Sequence, residues 1–171
     1  FVPGMCLGLV PDRSYAGCSI AKVSKQHPAL TRLITAWVKT TLGKEDKTFK
    51  YGACQVNYNY VAKKHIDMNN LGPSYISSLG KHTGGELWTG DRGVLNCRSG
   101  KWKLFDGNTL HCTQPFKGER FSFILFTPDA YNRLLPSYRD EALALGFTAA
   151  SSNGKDDPYF QQFRDLGRVE E

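Results

Sequence analysis

The sequence predicts a mainly β domain with flanking helices, an α+β chain built on a β-barrel core, and three observations carry that expectation. An amphipathic helical pattern comes first, no helical pattern interrupts residues 51–127, and that span is cut into short runs by Gly, Asn and Asp. A continuous β span argues against a parallel βαβ sheet, whose strands alternate with helices.

The helical pattern lies at 28–43, where Leu30, Leu33, Ile34, Trp37, Val38 and Leu42 recur at helical spacing between a Pro near the start and a Gly at the end. Trp37 is expected in its core-facing stripe. After the polar turn 44–47 the period changes, and short strands are predicted at 51–60, 74–79, 85–88, 101–105 and 120–127. Turn residues separate them at 69–73, 90–93 and 106–108. Many short strands joined by tight turns mean a barrel or sandwich. From Pro128 the spacing turns helical again with an interruption at Pro136, and 151–158 reads as a loop. The expected organisation is one domain over 1–171: N-terminal helical support (1–48), the β core (49–127) and a C-terminal helical segment (128–171).

The 171 residues are 40% hydrophobic, ordinary for one globular domain. The apolar run 121–127 falls far short of the roughly 20 residues that cross a bilayer, and no signal-peptide pattern opens the chain, so no membrane partner is expected. Five scattered cysteines without a C-x-x-C pair fit neither a disulfide framework nor a zinc ribbon. An intracellular setting, nuclear or cytoplasmic, is the expectation. The net charge of +6 is uneven: residues 1–64 hold ten Lys and Arg against three Asp and Glu, and residues 65–171 hold twelve against thirteen. A phosphate-bearing partner would be drawn to the first segment, although a solvated lysine-rich face has the same composition.

Two of the four histidines lie in the β span beside metal-ligating partners. In His65-Ile-Asp67 an imidazole and a carboxylate two residues apart leave the same face of an extended segment. His111 follows Asp67 by 44 residues. Two histidines and a carboxylate make a facial triad, which leaves half of an octahedral ion open for a bidentate co-substrate and oxygen, as non-haem iron(II) requires; zinc accepts the same ligands. Nine residues beyond His111, Arg120 opens an apolar strand, and Ser122 shares its strand face. An arginine entering a β interior needs an anion, and its guanidinium grips a carboxylate bidentately.

The order H-x-D, then H, then Arg with Ser two residues on, filled here by His65, Asp67, His111, Arg120 and Ser122, resembles the double-stranded β-helix (jelly-roll) dioxygenases that use iron(II) and 2-oxoglutarate. The resemblance spans roughly 51–127, including Gly84-Gly85-Glu86-Leu87-Trp88. The segment from His65 to Ser74, with Gly-Gly-Glu-Leu, is similar to the ten-eleven translocation/J-binding protein branch, which oxidises the methyl of 5-methylpyrimidines in nucleic acid. The resemblance implies iron(II), 2-oxoglutarate and O2 as cofactors, a metal held by His65, Asp67 and His111, and a far co-substrate carboxylate paired with Arg120 and Ser122. Nucleic acid is the implied partner. A prolyl, other protein or small-molecule hydroxylase stays open as an alternative, as does a catalytically silent cupin-like binding module.

Asn57, on the strand before His65, is expected to contact co-substrate. Asn69 and Asn70 serve the turn before Gly72 or touch substrate. His82 is expected as a solvated loop residue, and Cys112 points away from the His111 face. Trp88 and Trp102 line the barrel mouth or fill its interior.

Overall fold

The computed structural model describes residues 3–149 and 158–159. Residues 151–157 of the loop expected at 151–158, and most of the C-terminal segment beyond Ala149, lie outside the described residues. Among these, eleven strands form three antiparallel sheets. In chain order, β1 (Gly4–Asp12) and β2 (Gly17–Ile20) precede α1 (Lys22–Gln26) and α2 (Pro28–Glu45). There follow β3 (Ala53–Tyr58), β4 (Ser74–Leu79), β5 (His82–Gly84), β6 (Leu87–Thr89), β7 (Gly93–Leu95), β8 (Lys103–Phe105), β9 (His111–Thr113), β10 (Phe116–Gly118) and β11 (Phe121–Phe126). A 3-10 turn at Asp129–Arg133 and α3 (Pro136–Ala144) complete the described elements. No helix among them is long and apolar enough to cross a membrane.

The largest sheet has the order β2-β1-β3-β11-β4-β8, a three-stranded sheet the order β7-β6-β9, and β10 pairs with β5. Strand alternation gives the large sheet two chemically different faces. On one face Leu7, Leu9, Cys54, Val56, Phe123 and Leu125 pack with Ile34, Val38 and Leu42 of α2. Each of the three helix residues is at most 9% exposed, and burying such a side chain contributes about 1.5–3 kcal/mol. Trp37 closes this layer against Trp102 and Phe123, with ring centroids 5.1 and 4.9 Å away. On the other face Ile76, Phe105 and Ile124 meet Leu87 and Leu95 of the three-stranded sheet. Two sheets therefore face each other, and the helix covers the outside of the larger one.

The N-terminal segment differs from the helical support expected over 1–48, because β1 and β2 come first and belong to the large sheet. Gly4, Gly8 and Pro11 break the apolar run and hide the alternation of Met5, Leu7 and Leu9. Gly8 has a structural task. β1 pairs with β3 through Gly8 and with β2 from Leu9 onward. At φ +86°, with a would-be Cβ 2.4 Å from the Gly52 carbonyl, only glycine fits this change of partner. The main helix also runs through Gly43 to Glu45 rather than stopping there, and Pro136 begins α3 instead of interrupting it, as its missing N–H allows at a first helical position. Trp102 lies beneath α2, where its indole N–H donates to Thr41 Oγ1 at 2.9 Å. Trp88 pairs with Val94 and Cys112, and Lys64 Nζ sits 4.6 Å above its ring.

Candidate metal centre and anion pocket

The segment carrying His65 and Asp67 is stitched along β9. His65 and His111 exchange backbone hydrogen bonds of 3.0 Å in both directions, Thr113 N–H donates to Ala62 O at 3.0 Å, and Asp67 N–H donates to Gly107 O at 2.7 Å. These bonds bring a loop and a strand 44 residues apart in sequence into one constellation. His65 Nε2 lies 3.4 Å from Asp67 Oδ1 and His111 Nε2 lies 3.6 Å from Asp67 Oδ2. One ligand atom from each residue fits within 4.8 Å of the others.

The tautomers follow from the neighbours. His65 Nδ1 is 2.7 Å from Lys63 O, and His111 Nδ1 is 2.7 Å from Thr109 O. A carbonyl only accepts, so both Nδ1 atoms carry a hydrogen, and both Nε2 atoms, directed at the carboxylate, are the positions left for a metal. Oriented imidazoles of this kind, with the second nitrogen tied to a carbonyl, suit a divalent ion. Burial disfavours a charged His111, but the Asp67 contact, the Thr109 carbonyl and the Asp106 charge outweigh it and hold its pKa above the ordinary value. Gly107 makes room beside the carboxylate, because a Cβ there would stand 2.9 Å from Asn70 Nδ2 and 3.3 Å from Asp67 Oδ2.

The triad lies on the wall of a cavity of about 960 Å³ between the two sheets, with Gln55, Asn57, Ile76, Leu87, Phe105 and Ser122 among its other lining residues. Asn57 and Ser122 are register partners on β3 and β11, and Ser78 on β4 flanks Ser122 from the other side. Gln55 Nε2 donates to Asn57 Oδ1 at 2.9 Å, which fixes the orientation of the Asn57 amide.

Arg120 is only 2% exposed. It is not on the cavity wall itself; its guanidinium turns to Gly85, whose carbonyl accepts from Nη2 at 2.9 Å. The ring of Phe116 lies 5.5 Å from Cζ. The Arg120 backbone N–H donates to Asn59 Oδ1 at 2.8 Å, and Asn59 has a positive φ of 48°. Among the described residues Nε has no hydrogen-bond partner and no carboxylate forms an ion pair with the guanidinium, Glu86 pairing with Arg98. Burial pulls the arginine's pKa below its usual range. A buried cation with an orphan donor is costly unless an anion completes it. The donor set thus fits a divalent metal at the triad and a carboxylate near Arg120.

Of the residues read from the sequence pattern, His65, Asp67, His111 and Ser122 line one cavity together with Asn57, whereas Arg120 does not line it. Sequence reasoning missed Gln55, which stands two residues before Asn57 on the same strand face and was visible in that alternation. It also missed Gly85. A Cβ at Gly85 would stand 2.7 Å from Arg120 Nε, and φ is +78°, so this glycine of the Gly-Gly-Glu-Leu run seats the arginine. His82 is half-buried in β5 rather than solvated in a loop.

No protein-family model matches the chain, and no curated protein matches it. Solved structures do. One is NgTET1 in complex with 5mC DNA, with a TM-score of 0.55 at 16% identity over 75% of this chain and 62% of that one. Another is an oxidoreductase of the 2OG-Fe(II) oxygenase family from Burkholderia pseudomallei, with a TM-score of 0.52 at 20% identity over 72% of this chain and 66% of that one. The chain has the fold of these oxygenases. It spans less than two thirds of the length of both structures.

Proposed function

We propose that the chain is a jelly-roll oxygenase dependent on iron(II) and 2-oxoglutarate, and that it hydroxylates the methyl group of a 5-methylpyrimidine in nucleic acid. One observation carries the oxygenase reading: the two Nε2 atoms and the Asp67 carboxylate converge on the wall of a large cavity, and two residues before the cavity-lining Ser122 stands a buried arginine without an ion pair among the described residues. His65, Asp67 and His111 would hold the metal. When bound, the iron with 2-oxoglutarate and O2 supplies the oxidant that breaks the C–H bond.

The protein's own residues bind and orient. Ser122 donates its hydroxyl to the far carboxylate of the co-substrate while Arg120 neutralises its charge. Asn57, held by Gln55, presents its amide hydrogens at the cavity floor. Leu87, Phe105 and Ile124 keep the interior apolar. The cavity is larger than a five-carbon diacid, which leaves room for a base beside the co-substrate. Lys63 and Lys64, both exposed where the cavity opens, supply charge for a phosphate backbone. The fold likeness to a structure holding 5mC DNA supports this substrate class. The five free cysteines suit a reducing intracellular compartment.

The test is succinate release by anaerobically iron-loaded protein after addition of 2-oxoglutarate and oxygen, with and without 5-methylcytosine DNA. Stimulation by methylated DNA supports both parts. Succinate without stimulation keeps the oxygenase and removes 5-methylcytosine DNA as its substrate; failure to bind 2-oxoglutarate removes both.

A further inference from the structure

We propose that His82 is a positioning residue for Arg120, acting through Phe116 and Ser78 to set the arginine for the far carboxylate of the co-substrate. The inference rests on the oxygenase reading and adds to it a residue outside the motif. His82 opens β5, which pairs with β10 through Gly118. Its Nδ1 lies 3.1 Å from Gly84 O and carries the hydrogen, and its Nε2 lies 3.4 Å from Ser78 Oγ, a hydroxyl that also reaches Cys97 O at 3.2 Å. Ser78 is fully buried and is the register neighbour of Ser122, so this contact reaches the strand pair that lines the cavity.

The other face of the arrangement is aromatic. The His82 ring stands edge-on to Phe116 at 6.1 Å between centroids and 69° between planes, and the Arg120 guanidinium lies over the same Phe116 ring. The chain from His82 through Gly85 therefore grips the arginine twice. Gly85 O takes an Nη2 hydrogen, and His82 braces the ring on which the guanidinium rests. Arg120, Arg98 and Glu86 are the charged groups that His82 feels. Burial, with the two arginines, holds His82 below its usual pKa despite Gly84 O and Glu86.

A positioning role through Arg120 has a signature that a general structural role lacks, because it touches only ligands with a far carboxylate. The experiment is an anaerobic titration of metal-loaded wild type, His82→Ala and His82→Phe with 2-oxoglutarate and with 2-oxobutyrate, which lacks that carboxylate. Melting temperature and metal affinity are measured alongside. His82→Ala is expected to weaken 2-oxoglutarate by about 10-fold, the scale of outer-shell effects, while leaving 2-oxobutyrate and metal affinity unchanged. His82→Phe, which keeps a ring against Phe116, is expected to restore most of the loss. Unchanged 2-oxoglutarate affinity in His82→Ala, or equal weakening of both ligands, overturns the proposal. A wild type that binds metal but not 2-oxoglutarate overturns the oxygenase reading itself, and the wild-type titration identifies that failure separately.

Discussion

The two faces of the six-stranded sheet are made by alternate residues of the same strands, yet they have opposite chemistry. On β11, Phe123 and Leu125 lie in the helix-covered core, whereas Ser122, Ile124 and Phe126 border the cavity. On β3, Cys54 and Val56 face the helix layer, and Gln55 and Asn57 border the cavity. The pleat thus separates stability from chemistry by one residue. The helix side supplies apolar burial that holds the sheet rigid, and the cavity side displays polar groups at positions that this rigidity fixes.

Substitutions on the two faces should therefore fail in different ways. The largest effect belongs to Asp67→Ala, which removes the only carboxylate of the triad; bound metal measured after desalting should drop to background, with turnover lost and the fold kept. Phe123→Ala strikes the helix face, and a core aromatic of this kind costs about 3–5 kcal/mol. Denaturant unfolding should register that loss, while the folded variant keeps its metal affinity. Gly85→Ala forces a Cβ toward Arg120 Nε at a positive φ, a backbone cost of about 1–2 kcal/mol; calorimetry should show weaker 2-oxoglutarate binding with metal binding intact. Ser122→Ala, one residue from Phe123, should leave the melting temperature nearly unchanged and weaken 2-oxoglutarate by roughly 10-fold, the worth of one hydrogen bond to a charged group. Equal stability losses at Ser122 and Phe123 would erase the distinction between the faces.

How much of this was legible in the sequence depended on where the signal was stored. The residues that meet at the cavity, His65, Asp67, His111 and Ser122, could be singled out because H-x-D and R-x-S set rare polar types at short spacings in an apolar β span, and the long strands 74–79 and 121–126 show plain β composition. The first two strands were not readable, since Gly4, Gly8 and Pro11 interrupt their pattern and the turn of β1 from β3 to β2 is a tertiary event. Strands of three residues, such as β5, β7, β9 and β10, are too short to carry a period. Gly43 illustrates the opposite failure: a residue that commonly ends helices lies inside α2, next to the buried Leu42. His82 looked like a loop histidine because its partners, Ser78, Phe116 and Arg120, come from three separate strand regions.

The most direct test of the site is to add 2-oxoglutarate anaerobically to the iron(II)-loaded protein and to Asp67→Ala, and to record the visible metal-to-ligand charge-transfer band that forms when a 2-oxo acid chelates iron(II). A band in the wild type that is absent from Asp67→Ala is the predicted result. No band in an iron-loaded wild type would contradict co-substrate chelation at this site, and a band of equal intensity in Asp67→Ala would contradict the assignment of His65, Asp67 and His111 as the metal centre.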